Sequence, residues 1–144
     1  MQAYIDLLDN FIKFGENWFK IVFDRDDIKD EIIRLNTEEQ LGELGVKSDG
    51  ELVSPDGYAP STINERILAG LQTQHMDLKF TGEFWDSWEV QTGKDHIIIR
   101  ANGQKEDRNL FEIYGEDVLG LTDDSIADLS LYIADVLREE IEKL

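Results

Sequence analysis

The chain contains no cysteine among its 144 residues. Disulfide bonds and thiolate chemistry are therefore excluded, and the composition fits a protein that assembles in a reducing cytoplasm. Long hydrophobic runs are also missing, because no apolar stretch approaches the roughly 20 residues that cross a bilayer. Residues 1–6 lack the basic and apolar regions of a signal peptide, so we expect no secretory leader.

Positive charge is scarce, with 14 basic residues against 32 acidic ones and a formal net charge of −18. Such a surface repels phosphate, which argues against tight binding of nucleic acid through a basic patch. It is compatible with passive contact, as in the wall of a channel that DNA passes without sticking. The simpler interpretation is that the acidity keeps the protein in solution.

Residues that could bind a metal are few. The two histidines, His75 and His96, have no neighbours at the spacing of metal ligands. The acidic run at residues 24–27 fails the calcium-loop pattern, because Ile28 and Lys29 stand where an oxygen ligand and a glycine are required. We therefore expect no metal and no cofactor.

A catalytic site is not indicated either. Glu83, Asp86 and Glu89 are spaced by three, but such spacings arise by chance in a chain with 32 acids. Lys47 lacks the preceding glycine of a phosphate-binding loop, since Val46 occupies that place. The serines show no nucleophile-elbow pattern. The sequence therefore predicts a protein that is not an enzyme.

The N-terminal part is predicted to be helical. Apolar residues at helical spacing form a broad aromatic stripe, which must pack against the core or a neighbouring subunit. The stripe consists of Tyr4, Leu7, Leu8, Phe11, Phe14, Trp18, Ile21 and Val22. A second helix, capped by Asp24, carries Ile28, Ile32 and Leu35. Residues 38–44 either continue it or form a separate turn.

The middle of the chain is predicted to be a loop over residues 45–59, followed by a short helix over residues 60–71. Thr62 is the predicted N-cap of that helix, because Glu65 three residues later completes a capping box. Residues 72–79 have no regular pattern.

A β-hairpin follows. Residues 85–91 alternate in polarity, residues 92–95 form a turn, and residues 96–101 are rich in β-branched side chains. Residues 108–114 are predicted to form a short helix that ends at Gly115.

The last helix is predicted to start at Thr122 as its N-cap. Its apolar stripe is Ile126, Leu129, Ile133, Val136, Leu137 and Ile141. We expect Ile126, Leu129, Ile133 and Leu137 to be buried on one face. The fold class is therefore α+β, with helices packed around a small antiparallel sheet and a long C-terminal helix. We expect a single domain over residues 1–144, with a helical part at 1–44 and an α+β core at 58–144.

Large aromatic side chains are the candidates for an interface. Trp85 and Trp88 are either core residues or anchors between subunits, where tryptophan is enriched. Phe11, Phe14 and Trp18 on the first helix are the other anchor candidates.

Three short motifs follow one another between residues 58 and 124. They are Pro60-Ser61-Thr62-Ile63; then Leu78, Thr81, Gly82, Phe84, Ser87 and Trp88; and last Leu119-Gly120-Leu121-Thr122 followed by two aspartates. In this order they resemble the neck and tail-completion proteins of tailed bacteriophages, including the virion-morphogenesis type. The chain departs from that family after the first motif, where Glu65 and Arg66 make the helix start near neutral instead of basic.

The resemblance implies a structural virion protein, a ring-forming subunit of the neck, head–tail connector or tail-completion layer around the DNA channel. It implies a homo-oligomer with neck, portal or tail proteins as partners, assembled in the host cytoplasm, without a membrane or a specific nucleic-acid site. Its motif residues are folding residues. The alternative is a free acidic binding protein, an inhibitor or DNA mimic that acts on a basic partner. A small hydrolase is the third and weakest hypothesis.

Overall fold

The computed structural model describes the backbone from residue 2 and the side chains from residue 9 onward. The elements in chain order are α1 (Gln2–Phe23), α2 (Asp26–Arg34), a π-helix (Leu35–Leu44), α3 (Pro60–Leu68), α4 (Glu83–Asp86), β1 (Glu89–Thr92), β2 (Ile97–Arg100), β3 (Gln104–Lys105), β4 (Arg108–Asn109), α5 (Leu110–Tyr114), a 3₁₀ turn (Glu116–Val118) and α6 (Asp123–Glu142). The helices surround two small antiparallel sheets, so the predicted α+β class is confirmed.

The first two helices form as predicted, but the N-cap at Asp24 is wrong. Helix α2 begins at Asp26, and Arg25 precedes it in an extended conformation without a side-chain cap. Asp24 instead pairs with Lys20, one turn earlier on α1, at 3.0 Å. That hydrogen bond lowers the pKa of the Asp24 carboxyl below its usual value. Asp26 and Asp27 lie in the first turn of α2, where the helix dipole favours negative charge.

The predicted cap of α3 is also wrong. The helix begins at Pro60, two residues before Thr62, and it has no capping side chain. The reason is that proline fixes φ near the helical value and lacks an N–H, which suits the first helical position. Thr62 therefore lies inside the first turn, the capping box with Glu65 does not form, and the helix ends at Leu68.

The predicted hairpin is confirmed in β1 and β2, where Val90 lies opposite Ile99. Its first strand is shorter than expected, because residues 83–86 form the helical turn α4 instead of extended chain. Gly82 allows this turn, since it precedes α4 with a φ of 91°, in the left-handed region that favours glycine.

A second hairpin, β3–β4, was not predicted. It takes up residues 108 and 109, so the next helix, α5, starts at Leu110 and not at Arg108. Asn109 caps α5 by accepting a hydrogen bond from the Phe111 N–H at 2.9 Å.

Two apolar clusters form the core. The first joins α1, α2, β1 and α6 through Val22, Phe23, Ile28, Ile32, Leu35, Val90, Leu129 and Val136. The second lies under the loops through Leu41, Val53, Met76, Phe84, Trp88, Leu110 and Val118. Ile33 and Ile99 pack against both clusters, so the N-terminal helices and the hairpin share a continuous core.

Helix α6 is capped by Thr122 as predicted, with the hydroxyl accepting from the Ser125 N–H at 3.2 Å. Leu129 is buried, and Ile133 and Leu137 are partly buried against the first cluster. The predicted burial of Ile126 is wrong, since 48% of it is exposed. In the first turn the small Ser125 faces the body of the protein, which places Ile126 at the edge of the buried stripe.

Candidate assembly surface

The first two sequence motifs meet at one cleft of about 710 Å³. Six of its lining residues belong to these motifs, namely Thr62, Leu78, Thr81, Gly82, Phe84 and Ser87. The Ser87 hydroxyl donates to the Phe84 carbonyl at 2.6 Å and accepts from the Asn102 N–H at 2.9 Å. Ser87 therefore ties the α4 turn to the chain that leaves the β1–β2 hairpin.

A buried ion pair supports the floor of this cleft. The Arg66 guanidinium donates from Nη2 to both carboxylate oxygens of Asp77, at 3.1 and 3.0 Å. Only 2% of the Arg66 side chain and 6% of the Asp77 side chain are exposed. A buried pair of this kind is tolerated when further hydrogen bonds satisfy the remaining donors and acceptors.

Those further hydrogen bonds come from the irregular segment of residues 72–79. Arg66 also donates to the carbonyls of Gln72 and Lys79, at 2.8 and 2.6 Å. Gln72 and the Tyr58 hydroxyl both donate to Asp77. Burial raises the pKa of Tyr58 to about 12, so its phenol stays protonated and remains a donor. The network therefore holds a segment that has no helix or strand of its own.

The same network holds a strained residue of the second motif. Leu78 has a φ of 59°, in the left-handed region that leucine rarely occupies. Its neighbours are fixed on both sides, because Asp77 pairs with Arg66 and the Lys79 N–H donates to Asp77 at 2.8 Å. The left-handed turn directs Leu78 against the second core cluster.

The third motif is held by two amide side chains of the π-helix. Asn36 donates to the Val118 carbonyl at 3.0 Å and accepts from the Gly120 N–H at 2.7 Å. Gln40 donates to the Gly120 carbonyl and accepts from the Thr122 N–H, both at 2.9 Å. Each amide thus pairs with the backbone as a neighbouring strand would, and together they position the N-terminus of α6.

Gly120 is suited to this arrangement because its φ is 122°. A side chain at this position would also approach the Cβ of Ser48 to 3.1 Å. Gly120 therefore turns the chain just before the Thr122 cap.

Removal of the Asn36 amide should destabilise the protein measurably. In an Asn36→Ala variant the Val118 carbonyl and the Gly120 N–H lose their buried partner, which should cost about 1–3 kcal/mol for each orphaned group. The free energy of urea unfolding would show this loss. The matched control is Asn17→Ala, because Asn17 makes one exposed hydrogen bond within α1. Equal stability of the two variants would contradict the assigned role.

The aromatic face of α1 is largely free. Phe11 is 45% and Trp18 is 38% exposed, and Phe14 is partly buried. The side chains of Tyr4, Leu7 and Leu8, which the predicted stripe also includes, lie outside the described residues. Among the described side chains of α1, Phe19, Val22 and Phe23 at its C-terminal end enter the first core cluster.

The two neighbouring tryptophans, Trp85 and Trp88, differ in their surroundings. Trp88 is 6% exposed and packs edge-to-face on Phe84, so it is a core residue and not an exposed anchor. Trp85 is half-buried, donates to the Asp77 carbonyl at 3.0 Å and lies under the Lys79 ammonium. Its ring also lies against Gly42 of the π-helix.

Among the residues with described side chains, no three histidine, cysteine or acidic side chains form a metal-binding cluster. His75 Nε2 lies 2.6 Å from the Gly42 carbonyl, and His96 pairs with the neighbouring Asp95 on the surface. No helix in the described part of the chain is long and apolar enough to cross a membrane.

The residues that support the surface most strongly were missed by sequence reasoning. Arg66 was read as one charge of a near-neutral helix start, and Asp77 as part of an irregular segment. Ile67 and Leu68, the apolar residues next to Arg66, are 61% and 89% exposed, so the apolar pattern of α3 did not indicate that Arg66 is buried. Nothing in the sequence indicated that Asn36 and Gln40 contact residues 118–122.

Comparisons of the chain with protein-family models, with curated proteins and with solved structures give no match.

Proposed function

We propose that the chain is a structural subunit of a tailed-phage virion, in the neck, head–tail connector or tail-completion layer. The ordered set of three motifs carries the proposal, because their key residues occupy joints of the fold. Pro60 starts α3, Gly82 starts α4 and Gly120 turns the chain into α6. Residues at such positions shape the fold and need no catalytic side chain, as expected of a subunit in an assembly.

Exposed apolar side chains on several elements support association. Leu68 at the end of α3 is 89% exposed, and Leu131 in the middle of α6 is 73% exposed. Phe11 and Ile12 on α1 are 45% and 59% exposed. These side chains are candidate anchors, because the buried core of an interface is richer in apolar and aromatic side chains than the rest of a protein surface.

Charge constrains how copies associate. Each copy carries −18, so identical copies repel one another over the Debye length, which is about 30 Å at 0.01 M salt and about 8 Å at 0.15 M. Contacts between copies must therefore rely on apolar anchors and on the few basic residues. Head-to-tail contacts repeated around an axis close into a ring. A negative wall on the channel side would let DNA pass without binding.

The salt dependence of assembly tests this proposal. Sedimentation velocity from about 0.01 M to about 0.15 M salt should show assemblies that strengthen as repulsion is screened. Gel-shift measurements with duplex DNA should show negligible binding at physiological salt. Assembly that is strongest at low salt, or tight DNA binding that weakens with salt, would contradict the proposal. A stable monomer that binds a basic nuclease would favour the acidic inhibitor instead.

A further inference from the structure

The cleft differs in charge from the rest of the chain. Its basic residues are Arg66, Lys79, Lys105 and Arg108, and its acidic ones are Glu65, Glu83, Glu106 and, beneath it, Asp77. These four positive and four negative charges cancel, so the whole formal charge of −18 lies on the remaining residues. A second negatively charged molecule is therefore repelled less at this neutral cleft than by the chain as a whole.

Among the residues with described side chains, three of the four cations of the cleft have no salt-bridge partner, whereas Arg66 pairs with Asp77. Lys79, Lys105 and Arg108 are exposed, and none of them forms a salt bridge within the part of the chain with described side chains. Lys105 and Arg108 lie directly opposite each other in the β3–β4 hairpin. Like charges in this position are unfavourable unless an anion lies beside them. An acidic partner would relieve this repulsion.

An apolar side chain lies beside these cations. Phe80 lines the cleft, is 45% exposed, and has the Lys105 ammonium 5.8 Å above its ring. The cleft thus offers a hydrophobic contact and positive charge side by side. A matching surface needs an exposed apolar residue flanked by carboxylates.

The outer face of α6 has this composition. Leu131 is 73% exposed, and Ala127 and Ala134, one turn away on either side, are exposed too. Asp128 and Asp135 lie seven residues apart along one flank of this row, so they also share a face. Arg138, seven residues after Leu131, lies on this face too, 3.6 Å from Asp135. That ion pair is exposed and therefore weak, so Asp135 can exchange Arg138 for another cation. No residue of α6 lines the cleft, and the opposite face of α6 packs on the first core cluster.

We infer that the cleft of one subunit binds the outer face of α6 of a second copy. Leu131 of the second copy packs on Phe80, and its Asp128 and Asp135 meet Lys105 and Arg108. The two surfaces differ, so the contact is head-to-tail and propagates from subunit to subunit. The inference rests on the proposed assembly of copies and specifies the contact that forms it.

This contact is consistent with the salt dependence expected for the whole protein. At low salt the repulsion between whole subunits outweighs a few local ion pairs. Near physiological salt only charges within about 8 Å still interact strongly, and at this contact they have opposite signs.

A charge swap tests the contact. The first double variant, Lys105→Glu/Arg108→Glu, makes the chain more negative. The second, Asp128→Lys/Asp135→Lys, makes it less negative. Although their net charges change in opposite directions, each double variant should weaken association at least about tenfold. The four changes combined restore the wild-type net charge and should restore association. Lys94→Glu/Arg100→Glu is the matched control, since it adds the same charge outside the cleft. Sedimentation equilibrium measures association, and circular dichroism checks folding.

The possible results distinguish a wrong contact between subunits from the absence of any assembly. If the wild type associates but the swaps change association no more than the control, the contact is wrong while assembly stands. Failure of the combined variant to recover also rejects the contact. A wild type that stays monomeric at every salt concentration rejects the proposed function as well.

Cross-linking provides a second measurement that does not depend on affinity. The chain has no cysteine, so Phe80→Cys and Leu131→Cys variants each carry one thiol. Mixed under oxidising conditions, they should form the mixed disulfide in preference to either homodimer. A Lys94→Cys variant should not cross-link with Leu131→Cys. Equal cross-linking of all pairs would overturn the inference.

Discussion

An Arg66→Met variant should lose about 3–5 kcal/mol of its free energy of unfolding. Methionine keeps much of the arginine volume but leaves the Asp77 carboxylate buried without its cation. The carbonyls of Gln72 and Lys79 lose their donors in the same step. The loss is large because a buried charge without a partner destabilises the fold by far more than the intact ion pair stabilises it. Urea unfolding followed by tryptophan fluorescence measures it.

Two controls make the Arg66 result specific. Arg138→Met removes an exposed arginine that lies 3.6 Å from Asp135, and it should change stability by less than about 1 kcal/mol. Arg66→Met combined with Asp77→Asn removes the stranded charge and should recover part of the loss. Equal stability of the Arg66→Met and Arg138→Met variants would show that the ion pair does not organise residues 72–79.

A Leu129→Ala variant should be destabilised by about 2–5 kcal/mol, because Leu129 is 6% exposed and packs in the first core cluster. Leu131 on the same helix is 73% exposed and provides the matched control. Leu131→Ala should leave thermal stability nearly unchanged and should weaken association. Wild-type stability of Leu129→Ala, or equal losses in the two variants, would contradict the assigned orientation of α6.

The helices were predictable where apolar spacing and local caps act together. Helix α6 begins at Thr122, as the following aspartates and the apolar stripe indicated. Predictions that rested on one local signal were wrong. Asp24 and Thr62 both have side chains that suit a helix cap. Asp24, however, pairs with Lys20, and the helix that contains Thr62 already starts at Pro60. Helix α4 replaced part of a predicted strand, because Gly82 permits a turn that an alternating pattern does not reveal.

The supports of the candidate surface could not be predicted, since they depend on contacts between distant parts of the chain. Asn36 and Gln40 lie more than 80 residues before Gly120 and Thr122, with which they bond. The hairpin β3–β4, which brings Lys105 beside Arg108, consists of two residues per strand and is too short for a periodic signal. Six motif residues line the cleft, but the charge of the cleft became visible only in three dimensions.

The most direct test of the proposed ring is the mass and shape of the purified chain near physiological salt. Native mass spectrometry over rising protein concentration should show one closed oligomer, with no larger species of unlimited length. Negative-stain images of the same sample should show rings with a central hole. A monomer that persists at every concentration, without rings, would contradict the account.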